Sequence, residues 1–221
     1  MSHIQISRRS AVRGVAAVAA AVLLSGCAAM VDPEAAAPSL WVREPEYDAE
    51  VVTAVGADVA RAAWEFSVDF ALTHQFREEL MDPERRPTSE ALISPVIGQL
   101  TPLAQQYWRD EVDRALRGEP VARENLDVLM FSGWEADAEI QKPARGQVVT
   151  SQAIERGRVG LEGETGLISV RFAYRAGLEM AARGHPVTFA ARNEPVHYLE
   201  RQTDGTFRIA RYSGRLDVKQ S

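Results

Sequence analysis

In the first half of the chain, apolar residues recur at helical spacing. Between residue 48 and about residue 73 they follow one another every three or four positions, the period of one helix face. The apolar stripe consists of Val55, Val59, Ala62, Phe66 and Phe70. This pattern predicts an amphipathic helix with Asp48 as its N-cap. Trp64 lies roughly opposite the stripe, which predicts packing on two sides of the helix.

A second helical pattern follows a clear start signal. Thr101 supplies a capping hydroxyl and Pro102 suits the first helical position, while Gly118 is typical of a helix end. The apolar positions between them are Leu103, Tyr107, Trp108, Val112, Ala115 and Leu116. A shorter helix is predicted around residues 89–99, so the first half of the chain is mainly helical.

After about residue 126 the period changes to two, which is typical of half-buried strands. The clearest alternation places Ile168, Val170, Phe172 and Tyr174 on one face. Further strands are predicted at residues 148–155, 187–192, 196–201 and 207–218. The sequence Thr203-Asp204-Gly205-Thr206 predicts a hairpin turn of type I′. Helices followed by consecutive strands predict an α+β fold, with N-terminal helices packed on an antiparallel sheet.

The N-terminus has the pattern of an export signal. Arg8, Arg9 and Arg13 precede an uncharged, mostly apolar run over residues 14–24. That run is about half the ~20 residues that a membrane-spanning helix needs. A basic segment, a short apolar segment and small residues at its end predict a signal peptide over residues 1–26.

The end of this segment, Leu24-Ser25-Gly26-Cys27, resembles the bacterial lipobox. The resemblance implies cleavage before Cys27, diacylglycerol attached to its sulfur, and palmitate or another acyl chain on the new amine. It therefore implies a lipoprotein anchored to the outer face of the cell membrane. The alternative is a buried cysteine at the end of an uncleaved anchor.

The segment Ser7-Arg8-Arg9-Ser10-Ala11-Val12-Arg13 also resembles the twin-arginine export motif. Arg8 and Arg9 fit that motif, whereas Ala11 and Val12 stand where phenylalanine and leucine are usual. General secretion and twin-arginine export both remain open.

Three segments follow from these patterns. Residues 1–26 are the signal peptide, residues 27–46 are a lipidated N-terminus and an Ala/Pro/Glu-rich tether, and residues 47–221 are a single domain. Trp41 is the exception within the tether, and we expect it to dock onto the domain.

The element order resembles that of the NTF2-like, or cystatin-like cone, superfamily. The resemblance rests on a long helix followed by shorter ones, and on GLISVRFAYR and PVHYLERQTDGTFRIARYSG, which are similar to the last strands of such domains. It implies a strongly curved antiparallel sheet and a pocket between the long helix and the concave face. Lipid-anchored domains of this kind are frequent in actinobacteria, which fits a chain whose only lysines are Lys142 and Lys219.

Composition narrows the classes of function. The 221 residues include one cysteine and carry a formal net charge of −6. The acidic balance disfavours nucleic-acid binding, and a single cysteine excludes an internal disulfide or a Cys₄ metal site. Residues 1–26 contain three arginines and no acid, so their removal changes the charge to −9.

Few residues suggest a catalytic or ligand-binding role. H-E-x-x-H, G-x-S-x-G and P-loop motifs are missing from the sequence, and we expect neither a metal nor another cofactor. Asp69, at the edge of the long-helix stripe, is a weak candidate for a catalytic base, and a solvent-facing carboxylate is the alternative. Arg171 and Arg175 share one strand face, with Arg208 expected nearby. They could bind an anion or form a solvated outer face.

Three functions fit these observations. The lack of a catalytic constellation favours an interaction or accessory module that docks onto an envelope protein. The aromatic helix and the implied pocket favour a binding protein for an apolar small molecule or lipid. An isomerase or dehydratase acting in the pocket is the third.

Overall fold

The computed structural model describes residues 39–134, 139–143, 146–163 and 165–221. The predictions for Arg8, Arg9, Leu24, Ser25, Gly26 and Cys27 lie outside these residues. The helices are α1 Ala49–Val55, α2 Ala57–His74, α3 Ser89–Ile93, α4 Pro102–Leu116 and α5 Pro120–Asp127, with single 3₁₀ turns at Glu78–Leu80 and Ile97–Gln99. The strands are β1 Ser39–Val42, β2 Glu46–Tyr47, β3 Val149–Leu161, β4 Ile168–Ala182, β5 His185–Asn193, β6 Val196–Arg201, β7 Phe207–Ser213 and β8 Leu216–Gln220. The predicted α+β class is confirmed. Within the described ranges, no helix is both long and apolar enough to cross a membrane.

The sheet is built around the long strand β4. β3 pairs antiparallel with one side of β4, whereas the other side is shared by β6, along Ile168–Arg171, and β5, along Tyr174–Ala182. β7 pairs with β6 and β8 pairs with β5, both antiparallel. β1 and β2 run parallel to β3. The sheet is therefore mixed and mostly antiparallel, not purely antiparallel as predicted.

β1 and the first residue of β2 lie in the segment 27–46 that was predicted to be a tether. Trp41 lies in β1 opposite Ala153 of β3, and its side chain is 39% exposed. β1 has no alternation of buried and exposed residues, because an edge strand can be held by backbone hydrogen bonds alone. The hydrophobic pattern therefore gave no sign of it.

The predicted long helix is two helices. Gly56 separates α1 from α2 and has φ +88°, a left-handed value that favours glycine. Asp48 occupies the predicted N-cap position of α1, but its side chain caps no backbone amide. Its carboxylate instead accepts a hydrogen bond of 2.8 Å from Arg158 Nε of β3.

The face of α2 that packs on the sheet differs from the predicted stripe. Its buried residues are Ala60, Ala63, Trp64, Ser67, Val68, Phe70, Ala71 and His74. Of the predicted stripe only Phe70 is fully buried, while Phe66 is half-buried and Ala62 is exposed. The cause is the position of Trp64, which packs edge-on against Phe172 at 6.0 Å and over Gly157, where a Cβ would lie 2.3 Å from the indole ring.

In α4 the predicted ends are confirmed and the predicted stripe is partly wrong. Thr101 Oγ1 accepts a hydrogen bond from the Ala104 amide at 3.5 Å, and Gly118, with φ +88°, follows the last turn. Trp108 is buried, and its indole donates to the Leu92 carbonyl at 2.9 Å. Leu103 is 77% exposed, because the side of α4 that packs inward is centred on Trp108. Tyr107 and Leu116 are exposed as well.

The hairpin between β6 and β7 is confirmed in place but not in type. A type I′ turn needs positive φ at both central residues, and here only Gly205 has it. Asp204 stabilises the turn by accepting a hydrogen bond from the Thr206 amide at 3.0 Å. The predicted final strand is interrupted at Gly214, where a Cβ would lie 2.7 Å from the Glu194 carbonyl oxygen.

Candidate functional site

A cleft of about 740 Å³ opens between the α4–α5 turn and the inner face of β5 and β8. Its apolar lining consists of Ala115, Phe131, Trp134, Ile140, Phe189, Leu216 and Val218. Its polar lining includes Glu119, Arg123, Glu124, Asp127 and Gln220. The volume and the mixture of aromatic and polar groups are typical of a site for a small molecule.

Three aromatic rings form one wall of the cleft. Trp134 packs against Phe189 of β5 with ring centroids 5.1 Å apart, and against Phe131 at 5.2 Å. The Trp134 indole nitrogen donates to the Met81 carbonyl at 3.3 Å, which fixes the orientation of the ring. Trp134 and Phe189 are only half-buried, so their rings remain accessible from the cleft.

The segment that carries Phe131 and Trp134 is held by the end of α5. Asp127 Oδ1 accepts hydrogen bonds from both the amide and the hydroxyl of Ser132, each at 2.7 Å. The Arg123 guanidinium donates to the Gly133 carbonyl. Two side chains of one short helix thus position the aromatic wall.

Asp127 is also the most perturbed acid of the cleft. Burial raises its pKa to about 6, and the hydrogen bonds from Ser132 and the charge of Arg123 oppose that rise only in part. Within the described residues, Oδ2 accepts no hydrogen bond. A carboxyl group with a pKa near 6 can donate a proton at mildly acidic pH and accept one at neutral pH.

The other charges of the cleft differ in their pairing. The Glu119 carboxylate accepts from Arg114 Nε at 2.8 Å and from Arg117 at 3.3 Å, which lowers its pKa. Glu124 is exposed, and no ion pair joins it to another part of the chain that the structure describes.

Beneath the cleft, buried amide groups join two helices to the sheet. Asn193, at the end of β5, donates to the Gln75 side chain at 2.6 Å and to the Val128 carbonyl at 2.8 Å. Gln75, which follows α2, donates in turn to the Asp127 carbonyl at 2.8 Å. This network fixes the position of Asp127 relative to β5.

Nearer the middle of the sheet, aromatic rings fill the space between α2 and the strands. His197 of β6 contacts Phe70 at 5.5 Å and Phe172 at 5.3 Å between ring centroids. Its burial lowers its pKa to about 3, so the imidazole is neutral above that pH. Because these rings fill the middle of the inner face, the part that remains accessible is the end that carries Trp134 and Phe189.

Comparison with other proteins identified no relative. No family model matches the chain, and searches of curated proteins and of solved structures gave no match. The site is therefore interpreted from its geometry alone. Within the described parts of the chain, no cluster of three His, Cys, Asp or Glu residues could hold a metal ion.

The residues that the sequence suggested for catalysis or anion binding do not line this cleft. Asp69 is exposed on α2. Arg175 forms an ion pair with Glu155 at 3.0 Å. Such a pair is typical of a solvated outer face, the second alternative for these arginines. Arg208 lies on β7, which pairs with β6 and not with β4, so the expected row of three arginines is not assembled. Arg171 lines a separate groove of about 470 Å³ on the outer face.

The residues that do form the site were not predicted from the sequence. Asp127, Trp134 and Phe189 lie at the end of a short helix, in a loop and on a strand, and no local motif joins them. The one available signal was Phe131-Ser132-Gly133-Trp134, in which two aromatic residues flank a polar, flexible pair beyond the last helix. Aromatic residues in a loop need a packing partner, and here that partner is Phe189.

Proposed function

We propose that the folded domain binds a small molecule with an apolar body in the cleft between the α4–α5 turn and β5 and β8. The observation that carries this proposal is the aromatic wall, in which Trp134 and Phe189 are held in place but stay accessible. A ring-lined cleft of about 740 Å³ can enclose much of a small ligand. Asp127 and Glu124 at its edge would interact with the polar end of such a ligand.

We infer further that the domain is an NTF2-like cone. Support comes from the way β4 is flanked by two strand pairs, β6–β7 and β5–β8, which meet at a bend near Glu194 and Gly214. Such a bend curves a sheet around the helix that packs on it. The cleft is lined by α4, α5 and the strands and by no residue of α2, so it differs from the pocket between the long helix and the sheet that the resemblance implied.

The location of this binding domain is part of the proposal. The lipobox resemblance at Leu24-Ser25-Gly26-Cys27 supports export and attachment to the outer face of the cell membrane through a lipid on Cys27. Each buried CH₂ of an acyl chain contributes about 0.8 kcal/mol, so two or three chains hold a protein of net negative charge without help from basic residues.

Nuclear magnetic resonance of the indole N–H groups tests the binding proposal. The full chain, labelled with ¹⁵N-tryptophan and kept in a neutral detergent, is titrated with benzyl alcohol, a soluble probe with an aromatic body. We expect the Trp134 signal to shift saturably, because its ring lines the cleft. Trp64 and Trp108 are buried elsewhere and should stay unchanged.

Two controls decide the interpretation of that titration. Trp41 is exposed outside the cleft, so equal shifts of Trp41 and Trp134 would indicate non-specific association and contradict the proposal. Phe189→Ala should weaken the response of Trp134, since it removes the facing ring. Leu103→Ala, which shortens an exposed side chain on α4, should leave that response unchanged.

An envelope protein partner is a second candidate function. Its support is a set of exposed apolar side chains on α4 and α5, namely Leu103, Tyr107 and Val121. Single exposed apolar residues are common on protein surfaces, but three on adjacent helices fit a docking face. Chemical crosslinking on intact cells should give one defined adduct that Leu103→Ser with Val121→Ser removes, and an unchanged adduct would exclude this face.

A further inference from the structure

The cleft is lined by more acidic than basic side chains. Four titratable residues line it within the described chain, three acids and one base, all from α5 and the turn before it. The strands opposite contribute Phe189, Leu216, Val218 and Gln220, which carry no charge. Any charged group of a ligand would therefore meet the electrostatic field of the α5 side.

Pairing within the protein leaves two of the acids available. Glu119 already accepts hydrogen bonds from Arg114 and Arg117. Glu124 has no ion pair within the described residues. Asp127 accepts from Ser132 through Oδ1, and Oδ2 accepts no hydrogen bond from that part of the chain. Arg123 remains charged, so once Asp127 is ionised two acids face one base.

The aromatic wall favours the same sign of ligand charge. The faces of Trp134 and Phe189 carry negative electrostatic potential, which attracts ammonium groups and, in particular, alkylated ammonium groups. A ligand carboxylate or phosphate would meet this potential and two acids, with Arg123 as the one opposing charge among the described lining residues. The chain as a whole has a formal net charge of −6, which also attracts cations in solution.

We propose that the ligand of this cleft is an organic cation, with its ammonium end between Glu124 and Asp127 and its apolar body against Trp134 and Phe189. The inference rests on the proposed function, since it names the chemical class of molecule that the cleft would take. An amine with an alkyl or aromatic body satisfies both halves of the lining. Neither an anion nor an uncharged lipid does so.

Three probes that share one ring and differ only at the polar end test this inference. Benzyltrimethylammonium, benzyl alcohol and phenylmethanesulfonate are titrated separately into the full chain in neutral detergent, with the Trp134 indole signal as readout. We expect the dissociation constant of the cation to be at least about fivefold lower than that of the alcohol. The sulfonate should bind most weakly.

Matched variants assign the charge effect to named residues. Glu124→Gln should remove most of the advantage of the cation over the alcohol, whereas a general disturbance of the cleft would weaken both probes to the same extent. Glu90→Gln, an equal change of charge at an exposed position of α3, should have no effect on either probe. Comparing the two variants separates a contact in the cleft from a change in overall charge.

The pH dependence gives a second readout. A bound cation favours the ionised form of Asp127, so affinity for the cation should rise by about tenfold as pH increases from 5 to 7. Affinity for the alcohol should change little over that range. Arg123, Glu124 and Glu119 also face this group, and Asp127→Asn should abolish the pH effect while those three remain.

The outcomes separate this inference from the proposed function. Equal affinity for the three probes, or tightest binding of the sulfonate, would overturn the cation assignment and leave the binding cleft in place. Failure of every probe to shift Trp134 would overturn the proposed function itself. Tightest binding of the cation, lost in Glu124→Gln, supports both.

Discussion

The carboxyl of Asp127 does two things at once. Through Oδ1 it holds Ser132, and with it the segment that carries the aromatic wall. Through its burial it resists ionisation, which raises its pKa to about 6 from 3.8. The same residue therefore links the position of the wall to pH.

This raised pKa predicts a loss of stability with rising pH. Between pH about 4 and 6 the folded state keeps the Asp127 proton that the unfolded state releases, so the free energy of unfolding falls as pH rises. A shift of about two pKa units corresponds to about 3 kcal/mol. Urea unfolding at pH 4.5 and pH 7 should show a smaller loss in Asp127→Asn than in the wild type.

The comparison with the variant is needed because other groups titrate in the same range. His197, with its pKa lowered to about 3, contributes in the opposite direction, since the unfolded state binds its proton first as the pH falls below about 6.5. Asparagine at position 127 can still accept both hydrogen bonds from Ser132 on one oxygen. An identical pH profile in the two proteins would mean that Asp127 ionises normally.

The sequence did not predict which acidic residue lies in the site. Asp69 was chosen because it is an acid at the edge of an apolar stripe, yet it is exposed. Asp127 has a raised pKa because the chain that follows α5 folds back over it and buries it. Burial of a carboxyl by residues distant in sequence leaves no local pattern to detect.

At the scale of elements, α2 shows how one contact sets the rotation of a helix. Trp64 packs against Phe172 above Gly157, whereas Phe66 is half-buried next to Phe207. Trp64→Ala should cost about 3–5 kcal/mol of the free energy of unfolding, as buried aromatic truncations do. Phe66→Ala, which we would have expected to cost as much from the stripe alone, should cost clearly less in the same denaturant titration.

The order of these two effects is the test. A larger loss for Phe66→Ala than for Trp64→Ala would mean that α2 is rotated relative to the arrangement described. Trp64→Phe is a milder control that keeps an aromatic ring in the site, and its cost should fall below that of Trp64→Ala.

The break between α1 and α2 gives a second prediction at this scale. Gly56 has φ +88° and ψ 153°, a conformation that L-residues with a side chain rarely adopt. Gly56→Ala should therefore cost about 1–3 kcal/mol although no atom lies within 4 Å of the new methyl group. Gly98→Ala also places its methyl group in open space, but without positive φ. It should change the free energy of unfolding by no more than about 0.5 kcal/mol.

Elements with strong local signals were predictable, and those that depend on distant partners were not. The cap at Thr101 and the strand at residues 196–201 were predicted because capping and alternation depend on residues that are close together in the sequence. β1 and α5 were missed, because the first is an exposed edge strand and the second spans only eight residues. The separate strands at residues 187–192 and 196–201 were predicted, but not the pairing of both with β4.

For the whole molecule, the proposal joins a binding domain to a lipid anchor. Cys27→Ala should abolish incorporation of radiolabelled lipid and release the protein from membranes, because no other acyl attachment site is proposed. The measurement is membrane fractionation followed by a carbonate wash. A variant that stays bound after the wash would show that something other than the lipid holds it.

The most direct test of the central claim is native mass spectrometry of the full chain extracted from the membrane of the organism that makes it. We predict an added mass corresponding to one small molecule that contains an amine or ammonium group. That mass should be lost or reduced in Trp134→Ala and retained in Trp41→Ala. An equal occupancy in both variants, or no bound molecule in the wild type, would contradict the assignment of the cleft as a ligand site.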